Sequence, residues 1–242
     1  MTEQNLTNKE SYNLKREERQ KVSNSAKQKK LFKRVALWCL FVLVLAGSVW
    51  GMVKLANKTP DFQGTVVEPV SSSDWIEGNK NSKTVLIEYS DFQCPACGAY
   101  YPLIKQLLKE HGDGFLFVYR HFPLQQHKNA KPAAYAAEAA GRQGKFVEMS
   151  AMIFENQLSW SNIRNAENTF LEYAGVLNLN LEQFKKDRDS SVVKIRIDDD
   201  YKGGARAGVN STPTFFLNGS KIQPRSYEDF VDLINKANAQ NS

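Results

Sequence analysis

Residues 84–97, Thr-Val-Leu-Ile-Glu-Tyr-Ser-Asp-Phe-Gln-Cys-Pro-Ala-Cys, decide how the rest of the chain is read. Val85, Leu86 and Ile87 are consecutive and apolar, the pattern of a strand covered on both faces. The strand runs out through Ser90-Asp91-Phe92-Gln93 to a cysteine pair, Cys94 and Cys97. After the pair, Tyr100, Leu103, Leu107 and Leu108 recur at helical spacing. Cys94 is therefore expected at a helix N-terminus, where unpaired N–H groups and the positive end of the helix dipole favour a thiolate. A lowered thiol pKa makes a cysteine a better leaving group and a more available nucleophile at neutral pH. Cys97, one helical turn on, can close a small disulfide. Placement at the exposed helix start makes Cys94 the expected nucleophile and Cys97 the shielded partner.

Other uses of the pair fit less well. A zinc site wants two further ligands, and the third cysteine, Cys39, lies in a long apolar run. Covalent haem attachment needs His directly after the second cysteine, where this chain has Gly98. A structural disulfide across a two-residue loop would close little unfolded-chain entropy. Dithiol redox chemistry is the reading that remains, with no cofactor and no metal.

Upstream, the first 34 residues hold ten Lys/Arg against four acidic residues, and their excess equals the +6 of the whole chain. They read as a basic disordered tail (1–34), and the rest is neutral, so the charge gives no reason to expect nucleic-acid binding. Residues 35–53, VALWCLFVLVLAGSVWGMV, contain no charged side chain. Nineteen such residues approach bilayer-spanning length, and Lys29, Lys30, Lys33 and Arg34 before them place the tail in the cytoplasm. A cleaved signal peptide ending near Val44-Leu45-Ala46 is the competing reading; against it, the basic region is long and the apolar run continues past Ala46. A single-pass membrane anchor, a linker at 54–63 and an extracytoplasmic domain at 64–242 are expected.

Within that domain, Gly64–Glu68 reads as a short first strand and Ser71–Asn79 as a turn or short helix. Phe115–Tyr119 reads as a second apolar strand, parallel to the first across a βαβ unit. About five helices are expected between Tyr119 and the next strand: 129–142, 146–156, 165–177, 181–187 and 190–207. The chain then returns through Ser211-Thr212-Pro213-Thr214 to a strand at 214–217, an Asn218-Gly219 hairpin, a pairing strand at 221–223 and a last helix capped by Ser226.

Cys94-Pro95-Ala96-Cys97 at a strand-to-helix junction, Thr212-Pro213 before a late strand, and a helical block between them resemble the DsbA-like thiol–disulfide oxidoreductases of the thioredoxin superfamily. The resemblance covers about residues 64–240. It implies an α/β thioredoxin-like fold with a helical insertion at about 125–207, preceded here by one transmembrane helix. It implies a cis Thr212–Pro213 bond facing the cysteines, with Thr212, Pro213, Pro95 and Ala96 meeting substrate. Glu88, six residues before Cys94, matches a buried acid that acts as proton acceptor for the buried cysteine; a lone outward-facing Glu at a strand end is the plainer reading. Pro102 matches a kink proline, and His121 reads as a satisfied polar residue. The dipeptide Pro95-Ala96 departs from the Pro-His of the most oxidising members. The resemblance implies a disulfide oxidase for exported cysteine-containing polypeptides, reoxidised by a quinone-linked membrane thiol oxidase. A reductase or isomerase of the same fold, for example in cytochrome maturation, is the alternative, followed by a tethered peptide-binding module whose cysteines are incidental.

Overall fold

A computed structural model describes residues 37, 38, 40–48, 50, 51 and 67–241. The chain divides into two compact units, residues 1–61 and 62–242. In the first, the described residues are helical, and Leu37, Trp38, Leu40, Phe41 and Trp50 are exposed. Among the described residues, no helix is long and apolar enough to cross a membrane. The basic tail, the linker and both ends of the expected anchor, with Cys39, lie outside the described residues.

The second unit is built on a five-stranded sheet in the order β1-β3-β2-β4-β5. Its strands are β1 (Trp75–Gly78), β2 (Val85–Ser90), β3 (Leu116–His121), β4 (Thr214–Leu217) and β5 (Ser220–Ile222). The parallel β2–β3 pair is joined by helix α1 (Pro95–His111), as a βαβ unit requires, and the other pairings are antiparallel. Alternation along β2 sends Leu86 to the face that packs on α1 and the helical block, and Ile87 and Tyr89 to the opposite face. Asn218 and Gly219 both have positive φ, 48° and 81°, as a tight two-residue hairpin demands.

Six helices separate β3 from β4: α2 (Ala130–Gly141), α3 (Phe146–Glu155), α4 (Gln157–Trp160), α5 (Glu167–Val176), α6 (Leu181–Asp189) and α7 (Ser191–Arg206). The block is tied to the sheet at His121. Its ring Nε2 lies 2.9 Å from Glu138 of α2, and its backbone N–H donates to Asp200 of α7 at 2.9 Å. Arg120 beside it makes a buried two-pronged pair with Asp74, at 3.0 and 2.8 Å, and also donates to the Tyr89 hydroxyl. The last helix, α8 (Tyr227–Asn241), is capped by Ser226 through the N–H of Asp229.

Two expectations are corrected. Ser71–Asn79 is not a turn or short helix throughout: Trp75–Gly78 is the edge strand β1, antiparallel to β3. With only Trp75 and Ile76 as large apolar residues it shows no periodicity. Its place is fixed by distant partners, since Trp75 stacks on Phe146 at 4.2 Å and donates to Glu138 at 2.7 Å. The expected strand at 64–68 falls partly outside the described residues, and Val67 and Glu68 have no regular structure. The short helix α4 has no counterpart among the expected elements.

Candidate active site

Cys94 is the N-cap of α1 and Pro95 occupies the first turn, where a missing N–H costs nothing. No side chain caps this end. Its N–H groups are thus available to the Cys94 sulfur. The thiol also meets the loop before β4: Cys94 Sγ donates to the Thr212 carbonyl at 3.3 Å. The Thr212–Pro213 bond is cis. Cys94 is 7% exposed and Cys97 fully covered, while Pro95 and Ala96 are exposed and Pro213 half-buried around them.

The two sulfurs, both free thiols, are pushed in opposite directions. The hydrogen bond from Cys97 lowers the Cys94 pKa to about 5; burial opposes this, and Thr212 and the backbone N–H groups of Ala96 and Cys97 assist. Burial first, then the same bond to Cys94 and the nearby Glu88 charge, push Cys97 well above the ordinary thiol range. One proton on Cys97 thus serves a thiolate on Cys94, which makes Cys94 the group ready to attack or leave.

Glu88 does not face outward. It is 5% exposed, and burial raises its pKa from 4.5 to about 7, with the Cys94 charge adding to the effect and Ser90 opposing it. The carboxyl borders a cavity of about 280 Å³ walled by Trp75, Tyr101, Phe117, Tyr119, Phe146 and Phe154. It is an acid held where it titrates near neutral pH, in the strand leading to the pair. Pro102 lies inside α1.

Other residues hold this loop in place, and sequence reasoning passed over them. Asp91 is buried; its N–H donates to Cys97 Sγ at 3.4 Å, and its carboxylate accepts from Gln93 and Leu124 N–H and contacts His127 Nδ1 at 2.7 Å. Gln93 bridges to Ser161 and Asn129, both at 2.6 Å. Gln157, from α4, donates to the carbonyls of Phe92 at 2.7 Å and Cys94 at 2.9 Å. Gly98 makes room for it: a Cβ there would lie 2.5 Å from Gln157 Oε1. Asp91 and Gln93, adjacent to the motif and polar in a buried loop, could have been flagged from that alone. Gln157 carried no such signal, being 60 residues downstream of Cys97.

Comparison with known proteins agrees with this architecture. Over 192 residues the chain is 36% identical to the Na(+)/H(+) antiporter NhaA 1 of Mycobacterium sp. (strain KMS), covering 75% of this chain and 30% of that protein. The chain thus spans less than a third of that relative's length. BdbD from Bacillus subtilis, in its oxidised form, superposes with a TM-score of 0.64 at 18% identity, over 72% of this chain and 98% of that one. Alpha-DsbA1 of Wolbachia pipientis superposes with a TM-score of 0.60 at 21% identity, over 71% and 94%. These two likenesses are likenesses of fold. Residues 71–236 match the family profile described as thioredoxin, well over half of the sequence, and the chain belongs to that family.

Proposed function

We propose that the protein is an extracytoplasmic thiol–disulfide oxidoreductase that works as a disulfide oxidase, held at the bacterial cytoplasmic membrane by residues 35–53. The observation that carries the direction is the opposed acidity of the pair, with Cys94 lowered to about 5 and Cys97 raised. A stable Cys94 thiolate favours the reduced enzyme, and an enzyme that prefers to be reduced oxidises its partner. A substrate thiolate attacks Cys94, and the Cys94–Cys97 bond breaks with its electron pair on Cys97. A second substrate thiol then displaces Cys94, and the substrate leaves with a disulfide. Exported cysteine-containing polypeptides are the substrate class. They meet the exposed Pro95 and Ala96 and the Thr212-Pro213 loop, beside a cleft lined by Tyr100, Ser211, Pro213 and Arg225. A quinone-linked membrane thiol oxidase is the reoxidising partner in this reading. Ion transport is not carried over from the antiporter name.

Equilibration of the Cys94–Cys97 pair with glutathione tests the direction. The expected potential is nearer the about −120 mV of a strong oxidant than the about −270 mV of thioredoxin. A value at or below the latter would reverse the assignment to a reductase. Labelling of the cysteines in intact, reduced cells with an impermeant reagent tests the topology, and labelling only after lysis would overturn it.

A further inference from the structure

Cys97 must gain a proton when it leaves and lose one when it attacks, yet it is fully buried. Glu88 influences it through charge, and among the described residues no direct hydrogen bond joins the two. Ser90 stands between these facts. It lies two residues after Glu88 on β2, so strand alternation turns both side chains to the α1 face. Its side chain is 1% exposed, and its hydroxyl lacks a well-formed hydrogen bond in the resting dithiol. It is nonetheless within polar reach of Glu88, Cys97 and Tyr119, and favours the ionised form of all three. Tyr119, on β3 opposite Glu88, presents a second buried and unpartnered hydroxyl. A buried hydroxyl with no partner is costly, and one kept at that cost points to a use in the chemistry.

We propose that the Ser90 hydroxyl is the relay that carries the proton between Glu88 and Cys97. This rests on the thiol–disulfide exchange reading above but not on its direction. When a substrate thiolate opens the disulfide, the electron pair of the broken bond goes to Cys97. Ser90 gives its hydroxyl proton to that sulfur and takes one from the Glu88 carboxyl. On closure every transfer reverses. The Cys97 proton passes through Ser90 to the Glu88 carboxylate, and the Cys97 thiolate attacks Cys94 in the mixed disulfide. The bond from Cys94 to the departing sulfur then breaks. The titratable and charged groups around this path are Cys94 before α1, Cys97 within it, Glu88 and Asp91 on and after β2, and Tyr119 of β3. Glu77, Lys105 and Glu148 line the cavity beyond Glu88, and His121 is held on Glu138.

The closure step isolates the relay. Reduced full-length protein is mixed with oxidised glutathione, and release of the second glutathione is followed against pH by stopped flow. The wild-type rate should show an inflection near pH 7, where Glu88 titrates. Ser90→Ala should remove that inflection and slow closure by about 10²-fold at neutral pH, the usual worth of general acid–base help. Ser90→Thr, which keeps the hydroxyl, should restore it. The double variant Ser90→Ala/Glu88→Gln should be no slower than Glu88→Gln alone. The Cys94 titration, followed by thiolate absorbance, should stay below the ordinary thiol range in Ser90→Ala, because the groups acting on Cys94 directly are Cys97, Thr212 and the backbone N–H groups of Ala96 and Cys97. An unchanged pH profile in Ser90→Ala, failure of Ser90→Thr to rescue, or additive losses in the double variant would overturn the relay. Absence of any exchange with glutathione in the wild type would instead overturn the proposed function.

Discussion

Replacing Glu88 by Gln should stabilise the fold, and the gain should depend on pH in a defined way. Glu88 is 5% exposed, so solvent does little to screen its charge. Burial holds its pKa near 7 against an ordinary 4.5. A tenfold weakening of an acid corresponds to about 1.4 kcal/mol, so keeping the ionised carboxylate inside costs the native state up to about 3 kcal/mol. The sign follows from linkage. Below pH 4.5 the acid is neutral in both native and unfolded chains and contributes nothing. Between pH 4.5 and 7 the unfolded chain releases its proton first, so native stability falls as pH rises. Above about pH 7 the full penalty is present and constant. Glu88→Gln keeps the shape and removes the titration. Its amide adds a fixed offset, whereas the growth of the difference between the two proteins is the signal. Urea denaturation of both proteins in the oxidised form, from about pH 4 to about pH 8, keeps the thiols from titrating. The Cys94 charge that contributes to the raised pKa is then absent, but burial, the larger cause, remains. The difference should open through the window from about pH 4.5 to 7 and approach, without exceeding, about 3 kcal/mol. A constant difference, or one that closes as pH rises, would refute the reasoning.

Four further outcomes follow from the same geometry. Thiolate absorbance of the reduced protein should titrate with a midpoint of about 5 from Cys94 alone, and a midpoint in the ordinary thiol range would contradict the helix-start assignment. Because that pKa is depressed in the folded state, Cys94 stabilises the reduced protein fully above the ordinary thiol pKa; the contribution is lost as pH falls toward about 5, so thermal scans of reduced against oxidised protein should diverge over that range. Gln157→Ala removes donors to two buried carbonyls and should cost about 2–4 kcal/mol, with faster amide exchange in residues 92–98; unaltered exchange there would assign Gln157 to packing alone. Cys97→Ser should trap mixed disulfides through Cys94, Cys94→Ser should trap none, and the reverse pattern would exchange the two roles.

What the sequence made legible is what short-range chemistry specifies. Strand β2 and helix α1 announce themselves by an apolar run and a helical period, and the cysteine pair sits at the junction between them. Asn218-Gly219 specifies its hairpin because both residues tolerate positive φ. Glu88 could be placed in the strand, but alternation alone cannot say which face is covered when both are. Its direction became clear only once α1 and the helical block lay over that face. Strand β1 and the clamp on the active-site loop were illegible for a related reason. Trp75 owes its position to Phe146 and Glu138, and the carbonyls of Phe92 and Cys94 are satisfied by Gln157. Such partners are separated by more than 60 residues and leave no periodic trace.

The Pro95-Ala96 dipeptide lacks a histidine that could stabilise the Cys94 thiolate. The stabilisation comes from elsewhere in the site. The groups that favour the Cys94 thiolate are the Cys97 thiol, Thr212, and the backbone N–H groups of Ala96 and Cys97. None is a side chain of the intervening dipeptide, and both dipeptide residues are exposed. The leading cause is also reciprocal: the hydrogen bond that lowers Cys94 raises Cys97. The pair therefore behaves as one unit with one readily lost proton. What selects Cys94 as the sulfur that loses it is position. It sits at the helix start with the Thr212 side chain favouring its thiolate, whereas Cys97 sits in the core beside a buried carboxyl. A fixed backbone scaffold sets this asymmetry, so the exposed side chains of the dipeptide do not set the acidity of the cysteines on either side of it.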